Sequence, residues 1–378
     1  MLVRNFKCTN STELVDSGQR LTYSAAMSYN NILLYCRPGF ENECAAEITD
    51  LTSAAGIYGY VRAKEQSGYV VFCSHTPIEA DAFVQQIHFA ELVFARQVML
   101  SGEILKDLPI DDRITPLLSQ IQQLDNTFCD VWLETPDTND GKQLSTFFKK
   151  FEKPFNNALK KNQQLDKRSR LRLHLFFLNS SAVYIGVSHI DNSSPLPMGI
   201  PRLRMPKAAP SRSTLKLDEA FNFMLSEKEQ AEHLKNGMTA VDLGACPGGW
   251  TWQLVNRGIR VTAIDNGSMN EQLMDTGMVE HLRKDGFTYA PEKTVDWLVC
   301  DMVERPMLIT QMIIKWISNE YCVNSVFNLK LPMKKRYQMV CDCRDALTEA
   351  LEQSGHYYQL RMKQLYHDRE EITVVILQ

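Results

Sequence analysis

The stretch AVDLGACPGGW, residues 240–250, decides the fold class of the second half of this chain. It leads from an apolar strand into a helix through an acid and three glycines: Asp242, Gly244, Gly248 and Gly249. Glycine has no Cβ, so its backbone can turn tightly and lie directly against a ligand, and the start of the helix offers unpaired N–H groups. The stretch therefore predicts a ligand-binding turn in an α/β domain.

Strand and helix patterns alternate from this turn to the end of the chain. Apolar runs at 260–265, 296–301 and 325–330 predict strands, and helical segments lie between them. This rhythm predicts a doubly wound, mostly parallel sheet that binds ligands at the carboxyl ends of its strands. The last two strands, near 359–367 and 372–377, have no helix between them, which predicts an antiparallel hairpin at the sheet edge.

The region before residue 190 mixes strands and helices without regular alternation. Such a mixture predicts small α+β units, and no combination of residues typical of catalysis occurs in it. Strand patterns lie at 31–36, 68–73, 171–178 and 182–188, and helical patterns at 39–56 and 146–162. Five prolines between residues 191 and 212 then predict a linker over 191–206 or a surface arm.

The composition is typical of a folded protein that does not enter a membrane. The 378 residues are 44% hydrophobic and 23% charged, and contain no run of about 18 apolar residues. Ten cysteines form no CxxC pair and have no histidine at zinc spacing, so we expect reduced thiols in a cytoplasmic protein without a metal. We also expect a monomer, although no residue pattern decides the oligomeric state. Residues 1–26 do not resemble a signal peptide, and we expect a disordered or added extension with the natural start near Met27.

Positive charge is concentrated in one segment although the net charge is −4. Between Lys142 and Arg172 ten basic residues face only two acids, Glu152 and Asp166. Clustered positive charge indicates a polyanionic partner such as RNA, while a merely solvated basic helix is the alternative. The residues expected to contact RNA are Lys149, Lys150, Lys160, Lys161, Arg202, Arg204, Lys207, Arg212, Lys334, Lys335 and Arg336.

The acids at the strand ends favour S-adenosylmethionine over other adenosine cofactors. Asp265 follows Gly244 by 21 residues, the position at which an acid binds both hydroxyls of an adenosine ribose. A dinucleotide fingerprint needs glycine where Cys246 stands, and no P-loop motif is present, so NAD, FAD and ATP are disfavoured. A sulfonium cofactor carries no phosphate, and its ammonium group suits a carboxylate such as Asp242, while Asp285 is placed to reach the adenine amino group.

Lys330 is the strongest candidate for a catalytic residue. It directly follows an apolar strand, at the sheet edge that carries ligand sites. Burial and a second cation, Lys216, are expected to lower its pKa, and a lysine with a lowered pKa is a competent general base. Such a base suits an acceptor that ionises with difficulty, such as a ribose 2′-hydroxyl.

Five motifs together resemble the FtsJ-like RNA 2′-O-ribose methyltransferases. They are SRSTLKLDEAF at 211–221, VDLGACPGGW at 241–250, CDM at 300–302, NLKLP at 328–332 and REEITV at 369–374. The resemblance implies a Rossmann-like class I methyltransferase domain at 207–378, with a seven-stranded, mostly parallel sheet that ends in an antiparallel hairpin. It also implies a catalytic Lys-Asp-Lys-Glu tetrad at Lys216, Asp301, Lys330 and Glu371. Glu370 stands next to Glu371 and is the alternative fourth member.

The same resemblance implies a wider cofactor site around the glycine turn. Alanine is commoner in the family where this chain has Cys246, a small change that leaves the chemistry intact. The implied cofactor-binding residues are Ser213, Asp242, Gly244, Cys246, Pro247, Gly248, Gly249, Asp265, Asp285 and Asp301.

Further motifs extend the resemblance to the ribosomal RNA large subunit methyltransferase M family. They include LLYCRPGFENECAAEI at 33–48 and MDTGMVEHLRKDGF at 274–287. The resemblance implies a ferredoxin-like unit at 27–100 and a THUMP-like RNA-binding unit at 101–190. It also implies methylation of one cytidine ribose in the peptidyl-transferase region of 23S rRNA, before the subunit is fully assembled. Another structured RNA, or a small molecule, is the alternative substrate.

Overall fold

A computed structural model describes residues 28–124 and 126–378, so the expected extension at 1–26 lies outside the described residues. The described chain forms two seven-stranded sheets, one in each half. The first half holds strands β1 to β7 and helices α1 to α5. The strands are β1 Ser28–Cys36, β2 Gly59–Ala63, β3 Tyr69–Glu79, β4 Ala95–Ser101, β5 Val131–Glu134, β6 Leu171–Asn179 and β7 Ala182–His189. The helices are α1 Glu41–Ala54, α2 Ala80–Gln86, α3 Ile114–Gln122, α4 Asn139–Gln143 and α5 Ser145–Lys161.

The first sheet is continuous across the two units expected from the sequence. Its strand order is β2-β3-β1-β4-β7-β6-β5, and every pair is antiparallel except β5 with β6. The connection between the two parts is narrow, because β4 pairs with β7 only through Leu100 with Val187 and Ser101 with Gly186. Strand β1 lies in the centre of its part and is buried on both faces.

Helix α5 is amphipathic and carries most of the basic cluster. Phe151, Phe155 and Leu159 recur every four residues and are buried against the sheet, with the Phe151 and Phe155 rings stacked at 5.2 Å. The lysines of the helix lie on the opposite face and are exposed. The apolar side chains therefore fix the helix to the sheet and leave its positive charges to the solvent.

The second half has the doubly wound architecture that the sequence predicted. Its strands are β8 Thr239–Leu243, β9 Arg260–Ile264, β10 Val279–Leu282, β11 Val295–Cys300, β12 Cys322–Lys330, β13 Gln359–Lys363 and β14 Glu371–Leu377. Its helices are α6 Thr214–Phe223, α7 Glu227–His233, α8 Gly249–Val255, α9 Glu271–Met274, α10 Pro306–Ser318 and α11 Arg336–Gln353. The order is β10-β9-β8-β11-β12-β14-β13, with five parallel strands followed by the antiparallel hairpin β13–β14. The predicted fold class is confirmed.

The two halves pack against each other through β13 and α11. Lys363 on β13 donates to the carbonyls of Phe89 and Leu92, the latter at 2.6 Å, and the Gln364 N–H donates to the Val93 carbonyl at 2.8 Å. One continuous hydrophobic cluster also contains side chains from both sheets. The catalytic half is therefore held in a defined position on the first half.

The first part of the expected linker is packed rather than extended. Ser193 and Ser194 are buried, and the backbone N–H of Met198 donates to Glu134 at 2.5 Å. The Gln97 side chain makes two hydrogen bonds to the backbone of Ser194. Residues 192–198 therefore belong to the first half, and the exposed basic arm begins near Arg202.

Within residues 28–124 and 126–378, no helix is both long and apolar enough to cross a membrane. The same described residues contain no cluster of three or more His, Cys, Asp or Glu side chains that could hold a metal ion.

Candidate active site

The glycine turn lies between β8 and α8 and leaves no room for larger residues. Gly244 and Gly248 have φ angles of 76° and 112°, in the left-handed region that favours glycine. A Cβ added to Gly249 would stand 2.2 Å from the Ser213 hydroxyl and 2.3 Å from the Ser211 hydroxyl. The three glycines therefore allow the turn to form and the two serines to lie directly against it.

A cavity of about 280 Å³ opens at this turn. Two carboxylates, two serine hydroxyls and the backbone of the turn form most of its wall. The lining residues are Ser211, Ser213, Asp242, Gly244, Ala245, Cys246, Pro247, Trp250 and Asp301.

Asp242 gives this cavity a preference for a cationic ligand. Its side chain is buried and accepts a hydrogen bond from the Thr251 hydroxyl at 2.6 Å. Burial, together with the charge of Asp301, raises the pKa of Asp242 to about 7, while the Thr251 hydrogen bond opposes the rise. An ammonium or sulfonium group would stabilise this carboxylate, so the wall fits S-adenosylmethionine.

Asp265 and Asp285 lie near the turn but outside the cavity wall. The carboxylate of Asp265 accepts from the backbone N–H groups of Cys246 at 3.0 Å and Gly267 at 2.7 Å. Asp285 accepts from the Phe287 N–H at 2.9 Å. The structure thus ties Asp265 to the turn, and the expected ribose contact of Asp265 and adenine contact of Asp285 stay predictions.

The four predicted catalytic residues form one ion-pair cluster at the carboxyl edge of the sheet. Lys216 on α6 lies 3.1 Å from Asp301 and 2.5 Å from Glu371. Lys330, at the end of β12, contacts the same two carboxylates, Asp301 and Glu371. Four residues that are far apart in the sequence therefore meet beside the cofactor cavity, which Asp301 also lines.

The expected lowering of the pKa of Lys330 is wrong for the free protein. Burial opposes the charged form, but attraction to Asp301 and Glu371 and the hydrogen bonds to both raise the pKa of Lys330 above its usual value. Lys216 contacts the same carboxylates, which offset its charge. Lys330 is therefore an ammonium group in the free protein.

Glu371, and not the neighbouring Glu370, lies in the cluster. Glu371 pairs with Lys330 across β12 and β14, whereas Glu370 lies outside the strand and contacts Arg336 at 2.5 Å. The positions of the two glutamates follow from where β14 begins.

A polar chain that was not predicted supports Asp301 from inside the protein. The side-chain N–H of Asn328, a buried residue on β12, donates to Asp301 at 3.0 Å. The Thr373 hydroxyl lies 2.9 Å from the side-chain oxygen of Asn328 and 2.9 Å from the carboxyl group of Asp368. Burial and the charge of Glu371 raise the pKa of Asp368 well above its usual value. The only sequence signal was the asparagine that precedes Lys330 by two residues, on the same strand face.

Most of the predicted RNA-contact residues are exposed to solvent, but one of them contacts other residues of the protein. Arg336 is engaged: its guanidinium contacts Glu370, donates to the Gly39 carbonyl at 3.2 Å and lies 4.3 Å from the Phe40 ring. Within the basic cluster Arg172 is also buried, against Asp130 at 2.8 Å. Both arginines make contacts within the fold, and the RNA contact of Arg336 stays a prediction. The exposed residues are Lys149, Lys150, Lys160, Lys161, Arg202, Arg204, Lys207, Arg212, Lys334 and Lys335.

Family models match three parts of the chain. The RlmM ferredoxin-like domain matches residues 29–99, the N-terminal region of ribosomal RNA large subunit methyltransferase M matches 112–189, and the FtsJ-like methyltransferase matches 209–355. Together with the doubly wound sheet and the glycine turn, these matches define an S-adenosylmethionine-dependent methyltransferase with an added N-terminal half.

Full-length relatives share about half of their residues with this chain. A ribosomal RNA large subunit methyltransferase M from Actinobacillus pleuropneumoniae is 49% identical over 354 residues, covering 92% of this chain and 98% of that protein. The protein of the same name from Cellvibrio japonicus is 51% identical, and the match covers 91% of this chain and 98% of that protein. The one from Methylococcus capsulatus is 52% identical, and the match covers 92% of this chain and 97% of that protein. The chain belongs to the ribosomal RNA large subunit methyltransferase M family.

Solved structures resemble the chain much less. TrmN from Thermus thermophilus is 14% identical, with a TM-score of 0.34 over 92% of this chain and 99% of that one. A similarity of that size supports no inference about function.

Proposed function

We propose that the protein transfers a methyl group from S-adenosylmethionine to the 2′-oxygen of a cytidine ribose in the peptidyl-transferase region of 23S rRNA. The relatives at 49 to 52% identity are named as large-subunit rRNA methyltransferases, which supports rRNA as the substrate class. The choice of the ribose hydroxyl rests on the tetrad, and the choice of cytidine rests on the family resemblance.

The observation that carries the proposal is the meeting of two lysines and two carboxylates beside a cavity suited to a cation. A carboxylate acceptor would not need such a cluster, because its pKa of about 4 leaves it ionised and nucleophilic at neutral pH. A ribose hydroxyl holds its proton tightly, so its attack requires a base at hydrogen-bond distance. We assign that role to Lys330.

The residues of the cluster have separate duties in the proposed reaction. S-adenosylmethionine supplies the methyl group and a positive charge at the cavity that Asp301 lines. A carboxylate whose charge is offset in this way stabilises the Lys330 ammonium less, so the pKa of Lys330 falls and it releases a proton to solvent. The neutral Lys330 amine then accepts the 2′-hydroxyl proton while the 2′-oxygen takes the methyl group and S-adenosylhomocysteine leaves. Glu371 orients Lys330, and Lys216 fixes both carboxylates at 3.1 and 2.5 Å.

The exposed basic residues provide a surface for the RNA backbone. We assign phosphate contacts to the lysines of α5, to the arm at 202–212 and to Lys334 and Lys335, all of which are exposed. The ferredoxin-like unit at 27–100 and the THUMP-like unit at 101–190 form the RNA-binding half in this proposal. Binding through such contacts weakens steeply as salt is added.

Three finer points of the proposal rest on the sequence and the family resemblance. We place the reaction in the cytoplasm, on a monomeric protein, and on rRNA that has not been fully assembled into a subunit. Another structured RNA or a small molecule as acceptor would leave the cofactor site unchanged, so the acceptor has to be identified directly.

The test is transfer of tritiated methyl groups to unmodified 23S rRNA, to assembled large subunits and to unrelated structured RNA. The proposal expects label on the naked rRNA, at one cytidine, within a dinucleotide that resists alkaline hydrolysis because its 2′-oxygen is methylated. Label on a base, or equal label on every RNA, would contradict it.

A further inference from the structure

Two large apolar side chains protrude into solvent at the edge that carries the tetrad. Met333 is 92% exposed and Val303 is 87% exposed. In the described parts of the chain, 28–124 and 126–378, no other large hydrophobic side chain is as exposed as these two. Single exposed apolar residues are common on proteins, but here the two extremes occur on adjacent loops.

Their position follows from the strands that precede them. Val303 comes two residues after Asp301, at the end of β11, and Met333 comes three residues after Lys330, at the end of β12. The two strands are parallel neighbours, and Asp301 and Lys330 are in contact. Two and three residues of chain span at most about 7 and 11 Å, so both side chains flank the site where the acceptor hydroxyl must arrive.

The surroundings of the two side chains are basic. Lys334 and Lys335 follow Met333 and are exposed. Glu304 and Arg305 follow Val303 and lie 3.7 Å apart, with the Arg305 side chain 80% exposed, so the cations outnumber the one acid. An apolar surface edged by cations fits a nucleotide, whose base has apolar faces and whose phosphate is negative. The same combination would be unfavourable for a buried protein interface, because the lysines would lose their hydration.

The proposed reaction also needs a base to be held at this place. A 2′-hydroxyl inside a structured RNA reaches a recessed amine only if its nucleotide is turned out of the stack, which costs the stacking energy of its base. Apolar contacts to the extruded base offset that cost. We infer that Val303 and Met333 clamp the base of the target nucleotide while its ribose lies against Lys330. This inference rests on the proposed function.

The test uses a double variant that carries both Val303→Ala and Met333→Ala. Its methyl transfer to unmodified 23S rRNA is compared with that of the wild type. Loss of the clamp should lower kcat/KM for the rRNA about tenfold or more and leave the affinity for S-adenosylmethionine unchanged. Met333→Leu should keep most of the activity. The matched control is Tyr357→Ala, because Tyr357 is 79% exposed but lies beside the Gln359–Leu377 end of the sheet, about 20 Å from Glu371. The control should behave like the wild type.

A second measurement distinguishes contact with the base from contact with the backbone. An rRNA fragment ligated around an abasic ribose at the methylated position keeps the 2′-hydroxyl but removes the clamped group. On the abasic fragment, the activity of the wild type should fall to about the activity that the double variant shows on intact rRNA. The double variant should be only slightly less active on the abasic fragment than on intact rRNA. Additive losses, or a double variant as active as the wild type, would overturn the clamp. If the wild type transfers no methyl group to any RNA, the proposed function fails, and the clamp fails with it.

Discussion

Asp242 shows how one buried residue couples the cofactor site to pH. Because burial raises its pKa to about 7, this carboxyl group is about half protonated at neutral pH in the free protein. A cationic ligand prefers the ionised form, so binding should release a proton near neutrality. The glycines of the turn supply the space for the ligand, and Asp242 supplies much of the charge.

The affinity for S-adenosylmethionine should therefore fall about fivefold between pH 7 and pH 6, as Asp242 takes up a proton. The ammonium group of the ligand stays charged over this range, since an α-amino group has a pKa of about 7.7 to 8.0. Isothermal titration at several pH values measures the effect. Asp242→Asn should bind more weakly and without this pH dependence, and a flat profile for the wild type would contradict the assignment.

At the scale of the elements, the edge formed by β12 and β14 positions the tetrad. Lys330 and Glu371 are cross-strand partners, and Asn328 and Thr373 form the next such pair on the same face. The hydrogen bonds from Asp368 through Thr373 and Asn328 to Asp301 join the two strands to the end of β11. The tetrad is thus held by a pair of strands and does not depend on flexible loops.

Asn328→Ala should lower kcat about tenfold while the KM for S-adenosylmethionine changes little, because Asp301 loses the donor that orients it. Thr373→Val is the matched control: it keeps the shape of the pair, leaves the Asn328–Asp301 hydrogen bond in place and should cost less activity. Steady-state kinetics and thermal unfolding of both variants separate the roles. If Asn328→Ala loses stability but keeps kcat, Asn328 is only structural.

At the scale of the whole molecule, two buried opposite charges interact across the junction of the halves. Lys363 on β13 donates to N-terminal carbonyls, and its charge interacts with that of Glu47 on α1, which accepts from the Val93 and Phe94 N–H groups at 2.6 and 3.0 Å. Burial lowers the pKa of Lys363 and raises that of Glu47. Such a pair fixes the orientation of the halves more than it adds stability.

Lys363→Met should lower the free energy of unfolding by about 3 kcal/mol, because it removes a buried cation that acts on Glu47 and leaves the carbonyls of Phe89 and Leu92 without this donor. Adding Glu47→Gln should restore part of that loss. Urea unfolding of the single and double variants tests the coupling. Strictly additive losses would show that the two side chains do not interact across the interface.

The sequence predicted the catalytic half better than the N-terminal half, for physical reasons. Glycines and strand-end acids have few alternatives to a ligand-binding turn, so the turn and the sheet were predictable from the residues, whereas the full tetrad was implied by the family resemblance. The continuity of the first sheet was not, because two residue pairs between β4 and β7 create it and Arg96 and Gln97 interrupt the apolar pattern of β4. Strand β10, with Glu280 and His281 among its four residues, was missed for a similar reason.

Charges were harder to predict than positions. The raised pKa of Lys330 depends on contact with Asp301 and Glu371. Sequence spacing does not show whether a lysine side chain will contact a carboxylate from a distant part of the chain. Arg336 was predicted as a phosphate contact from its basic neighbours, and its position over the Phe40 ring depends on how the two halves pack. Both observations concern interactions between residues that are distant in the sequence.

The central claim is that Lys330 accepts the proton of the attacking hydroxyl, and the single-turnover rate of methyl transfer by Lys330→Ala tests it most directly. The account predicts a fall of about 10² to 10⁴ in that rate on 23S rRNA, with an affinity for S-adenosylmethionine close to that of the wild type. A variant that transfers methyl groups within about threefold of the wild-type rate would contradict the account.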